Sequence, residues 1–136
     1  MGWLAPTLYY VVAVGALGVT SKLALRSLVW QDLILWTGVG YIIVAGVLLG
    51  LGQTAVRVTA GTGWAVLSAA IAISSLIALY LALNAGKAGT VIPVTAAYPA
   101  VTLLLSAAFL SEGLSLARVG GALLVIAGVV VLTASD

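Results

Sequence analysis

Charged side chains are so few in this chain that each can be weighed for chemistry on its own. Lys22 and Arg26 lie one helical turn apart in "VTSKLALRSL", at the end of the first apolar run. A cation held inside an apolar helix is costly and marks a solute or ion path, but near a helix end its stem can snorkel to water. Arg26 falls past that end. Lys22 falls at it and is a candidate gate or coupling residue. Glu112, which precedes the last apolar run, is a second candidate, with its placement also suited to begin that helix. Asp32 and Asp136 are the remaining carboxylates. Histidine and cysteine are absent. That removes the usual general base, the thiolate nucleophile, the commonest metal ligands and any disulfide framework. An enzyme, a metal site and a cofactor are therefore not expected.

Groups able to recognise a neutral or cationic solute are more plentiful. Tyr10, Trp36, Tyr41, Tyr80 and Tyr98 each offer an apolar face and one polar handle, and they are candidate cavity residues. Trp3, Trp30 and Trp64 stand near the ends of apolar runs, where anchoring at the membrane interface is the better reading. Thr95, Pro99, Thr102 and Ser106 recur along one helical face. Pro93 and Pro99 each remove an N–H and crowd the preceding turn, which frees carbonyls toward a cavity. Thr95, Pro99 and Thr102 join the substrate-binding candidates, as does Ser75, whose face also carries Ser68 and Ala72. The competing reading is that the hydroxyls bond to carbonyls one turn back and the prolines only kink the helix.

These residues need elements to hold them. The chain has 136 residues, 64% hydrophobic and 6% charged, with a mean hydropathy of +1.33. That composition belongs to an integral membrane protein. About 20 residues at about 1.5 Å each cross the roughly 30 Å hydrocarbon layer. Runs of that size are read at about 3–22, 33–51, 63–83, 90–110 and 116–134, five helices in one membrane domain over 1–136. The fold class expected is all-α and polytopic, because lipid satisfies no backbone group and no segment alternates as a barrel strand would. The longest polar connection is about a dozen residues, so function must reside in or between the helices. The start "MGWLAPTLYY" has no basic leader, so the first run is expected to stay as a helix. Pro6 departs from the myristoylation pattern. The five Lys/Arg residues are scattered, and no nucleic-acid partner is expected. With five spans, Lys22, Arg26 and Lys87 face one side and Arg57 and Arg118 the other. Three against two is a weak positive-inside signal, which suits insertion in both orientations.

From Tyr80 the chain reads "YLALNAGKAGTVIPVTAAYPAVTLLLSAAFLSEGLSLARVGGALLVIAGVVVL". This resembles the C-terminal part of an EamA-type module of the drug/metabolite transporter superfamily. The features are Tyr and "AL" before a short Lys-bearing turn, Pro93 and Pro99 in the next helix, Glu112 after it, and the glycine-containing last helix. "GVTSKLALRSL" is similar to the family's end of helix one, while Trp36 stands where an Arg is frequent. Full-length relatives carry two such modules, inverted with respect to each other, and transport small metabolites or drugs. The resemblance implies an EamA-like half-transporter that works as an inverted, antiparallel homodimer by alternating access, in the cytoplasmic membrane of a prokaryote. Rival readings are a non-transporting scaffold or accessory subunit, and one half of a heterodimeric transporter. "GALLVIAGV" also resembles the dimerising last helix of the small multidrug resistance proteins, and Ala117, Gly121 and Gly128 are candidate dimer-packing residues. Those proteins carry a Glu in helix one. No carboxylate lies between Met1 and Val29 here, so proton antiport by that means is not expected.

Overall fold

The computed structural model describes residues 2–134, and Asp136 lies outside them. The described residues form α1 (Leu4–Ala24), α2 (Trp30–Gly50), α3 (Thr62–Ala85), α4 (Ala88–Thr95), α5 (Tyr98–Phe109) and α6 (Leu116–Ala134). Taking α4 and α5 as one interrupted span over Ala88–Phe109, five helices are long and apolar enough to cross a membrane. α1, α2 and α3 are apolar all round rather than one-sided, as lipid-immersed helices are. Leu116 is 93% exposed. Such faces are stable only against lipid or another helix, and the protein is a multi-pass membrane protein in contact with the bilayer.

Contacts divide the chain into two units, Met1–Ala85 and Gly86–Asp136. In the first unit α3 packs against both α1 and α2. Its buried residues are Gly18 and Ser21 near the end of α1, Leu33 near the start of α2, and Tyr80 and Leu83 near the end of α3. All five lie at the end where α1 and α3 finish and α2 begins, so α2 runs opposite to its neighbours. Small residues on α1 permit the close approach. The second helix, expected to begin near Leu33, begins at Trp30. The Asp32 carboxylate accepts the Val29 N–H at 3.2 Å, which satisfies one orphan donor and places negative charge in the first turn. The same helix ends in a Schellman turn. Gly52 has φ +65°, while the Gln53 N–H reaches the Leu48 carbonyl at 3.0 Å and the Gly52 N–H that of Leu49 at 3.1 Å.

In the second unit α6 packs against α4 and α5. The fourth span, expected as one helix over about 90–110, is broken at Ala96 and Ala97. Pro99 cannot donate to the Thr95 carbonyl, and the chain tightens instead: Ala96 N–H bonds Pro93 at 3.0 Å and Ala97 N–H bonds Val94 at 3.1 Å. Pro93 remains inside α4. At the far end of α5, Ser111 takes the left-handed conformation (φ 55°) and Glu112 N–H returns to the Ser106 carbonyl at 3.3 Å. Glu112 therefore stands in the turn and does not start α6. Ser115 does that, its Oγ accepting the Arg118 N–H at 3.3 Å.

Candidate functional site

At the packed end of the first unit, two helical faces and one tyrosine enclose an open groove of about 330 Å³. Leu17, Thr20, Ser21 and Ala24 come from α1, and Leu33, Trp36 and Thr37 from α2, each set at helical spacing. Tyr80 comes from α3 and is 2% exposed. Its phenol oxygen lies 3.1 Å from Thr37 Oγ1. Thr37 Oγ1 in turn donates to the Leu33 carbonyl at 2.7 Å. Thr37 has one hydroxyl hydrogen and it is engaged there, so Tyr80 is the donor to Thr37. The chain of bonds runs Tyr80 to Thr37 to Leu33, which fixes the phenol ring and leaves its oxygen with acceptor capacity. Trp36, 69% exposed, adds an aromatic face.

Lys22 stands beside Ser21, and its Nζ donates to the Leu83 carbonyl at 2.5 Å. Leu83 is fully buried in the last turn of α3, where carbonyls lack helical partners and carry the negative end of the macrodipole. The lysine thus caps α3 from the last turn of α1. Its long stem crosses between helices, and its charge also suits the C-terminal end of its own helix.

The second unit carries its own cleft, lined by Tyr98, Pro99, Thr102, Leu103, Ser106 and Leu110 of α5 and its end, with Glu112 and Arg118. Thr102 Oγ1 donates to the Tyr98 carbonyl at 3.2 Å and Ser106 Oγ to that of Leu103 at 3.1 Å. Arg118 Nη1 donates to the Gly113 carbonyl at 3.2 Å. Of the substrate candidates, the structure brings Trp36 and Tyr80 into the groove and Tyr98, Pro99 and Thr102 into the cleft. Tyr10 is exposed on α1 and is not among the groove residues. Tyr41 borders apolar hollows with Ile73 and Leu76 instead. Ser75 and Thr95 are exposed, and their hydroxyls bond back to Ala72 at 2.8 Å and Ile92 at 2.6 Å. Ala117, Gly121 and Gly128 are exposed on α6, and a Cβ at either glycine would meet nothing within 4 Å. No group of three or more metal-ligating acidic, His or Cys residues occurs among the described residues.

Sequence reasoning missed Thr37 and Ser21. A threonine in an apolar helix has no local mark of function, and its partner Tyr80 lies 43 residues away. Ser21 had a signal, since it adjoins Lys22 in "TSKLAL".

The family profile of the EamA-like transporter family matches residues 2–134. A protein of the archaeon Methanocaldococcus jannaschii described as uncharacterized is 38% identical over 73 residues, which is 54% of this chain and 53% of that protein. The match thus spans about half of the relative's own length. No solved structure matches the chain.

Proposed function

We propose that this chain, which belongs to the EamA-like transporter family, carries a small solute across the bilayer by way of the Trp36, Thr37 and Tyr80 groove. The observation that carries this reading is the Tyr80 to Thr37 to Leu33 bond chain. It fixes the nearly buried phenol of Tyr80 in the wall of a groove with no acidic lining, next to an exposed indole. A solute with N–H or O–H donors and an apolar or cationic portion suits that set, the phenol accepting its hydrogen bond and Trp36 covering its face. Lys22 holds α1 against α3 beside the groove and acts as a positioning residue rather than as a contact to solute.

The working unit is two copies in opposite orientation in the cytoplasmic membrane of a prokaryote, with alternating access as the copies exchange roles. Two observations support the pairing. The Lys/Arg balance between faces is nearly even, and the Gly121 and Gly128 positions of α6 offer room for another helix backbone.

A thermal-shift screen of metabolites on the purified protein, followed by flux in liposomes, tests the route. The ligand found should shift the wild-type protein, and Tyr80→Phe should lower its affinity about tenfold, the worth of one good hydrogen bond. Flux that is unchanged in Tyr80→Phe and Trp36→Ala would remove the groove from the route. No flux and no ligand-dependent shift across the library would favour a scaffold role.

A further inference from the structure

The cleft of the second unit holds a carboxylate and a guanidinium that the solute route leaves unused. Both Glu112 and Arg118 line it and both are exposed. Among the described residues no ion pair within 4.0 Å joins them. Arg118 places one N–H on the Gly113 carbonyl and keeps others of its planar fork for an oxyanion. We infer that this cleft holds one phospholipid whose headgroup is a zwitterion with a primary ammonium, of the phosphoethanolamine type, its phosphate on Arg118 and its ammonium on Glu112.

Three features support a lipid. Glu112 lies in the connection between α5 and α6 and Arg118 in the first turn of α6, both at the ends of two spans, which is headgroup level. From Phe109 back to Tyr98 the helix covers about 16 Å, close to half of the roughly 30 Å hydrocarbon thickness. The cleft lined from Glu112 down to Tyr98 therefore matches the depth of one leaflet. Between those ends it presents Pro99, Leu103 and Leu110, and Thr102 and Ser106 have their hydrogens turned onto their own helix. An acyl chain can lie along that surface between Glu112 and Tyr98 without stranding the Thr102 or Ser106 donor.

Charge selects the headgroup. An anionic phosphate alone would satisfy Arg118 but meet Glu112 with like charge. A trimethylammonium head has both signs but no N–H for the carboxylate to accept, so the charge-assisted bond is lost. Among the described residues no ion pair within 4.0 Å engages the two charged groups, and a head carrying both signs bridges them.

The test is lipid retention by the full chain. Protein purified in mild detergent is exchanged into nanodiscs of phosphatidylcholine containing a minor fraction of phosphatidylethanolamine or phosphatidylglycerol, and the lipid kept on re-extraction is counted by native mass spectrometry. Phosphatidylethanolamine should be enriched about tenfold over both other lipids, and Glu112→Gln or Arg118→Gln should each erase most of that enrichment. Both side chains are exposed, so helical content by circular dichroism should stay at the wild-type value and certify the fold. Equal enrichment in the variants, or equal retention of phosphatidylglycerol, would overturn the assignment. Displacement by soluble glycerophosphoethanolamine at the same concentration as the lipid would overturn it too, since the site would then read an aqueous zwitterion. None of these outcomes depends on flux, so they stand or fall apart from the solute route.

Discussion

Removing Tyr80 and removing Thr37 break the same hydrogen bond but leave different orphans. Tyr80→Phe leaves Thr37 with its bond to Leu33 intact and only an unused acceptor, so it should cost about 1 kcal/mol. Thr37→Val leaves a buried phenol donor without a partner and should cost more, about 1–3 kcal/mol. Unfolding of the two variants in one detergent, compared side by side, checks the order. If Tyr80→Phe proves the more damaging, Thr37 rather than Tyr80 is the donor in their bond. Lys22→Met deprives the buried Leu83 carbonyl of a charged donor, and it should cost about as much as Thr37→Val or more, about 2–3 kcal/mol in the same assay. Sequence made the aromatic and cationic members of this cluster visible, since Trp, Tyr and Lys are scarce in an apolar chain. It could not show their partners. A backbone carbonyl 61 residues away carries no side-chain signature, and Thr37 looks like any helical threonine.

Two turns of the chain use the left-handed conformation with opposite economy of residue choice. Gly52 adopts φ +65° without strain, whereas Ser111 adopts φ 55° with a side chain in place. Gly52→Ala should therefore destabilise by about 1 kcal/mol and Ser111→Gly should stabilise by up to about the same amount. Thermal midpoints of the two variants should move in opposite directions. The break between α4 and α5 has a single-residue test as well. Pro99→Ala restores an N–H opposite the Thr95 carbonyl, and amide exchange should then show the new amide at position 99 protected like its neighbours, with the Ala96 and Ala97 amides shifting from their i−3 bonds to helical i−4 bonds. An unprotected new amide would assign the break to surrounding packing. The span count was legible because apolar runs must match bilayer thickness, and polar connections cannot hide in lipid. The break was legible only as a tendency. Proline spacing signals lost bonds, but whether a helix kinks or stops depends on how the tightened turn is accommodated, as the survival of α4 through Pro93 shows.

At the scale of the whole molecule, orientation hangs on five cations. A reporter fused to the C-terminus should be found on both sides of the membrane. Arg57→Gln, in the exposed connection between α2 and α3, should move most of it to the cytoplasmic side by leaving three cations against one, while Arg26→Gln should even the split at two against two. Strict cytoplasmic location in the wild type would exclude dual insertion. Lys22 belongs to that count and also to the cap on α3, and the two duties are separated in time. Its acceptor lies 61 residues further along the chain, so at synthesis rates of about 5–20 residues per second the lysine waits about 3–12 s before Leu83 exists to receive it. During that delay the Leu83 carbonyl cannot hold its ammonium, and the insertion machinery reads it with the other cations. The same proton-bearing nitrogen is thus an address on the nascent chain first and a clasp on the finished one afterwards.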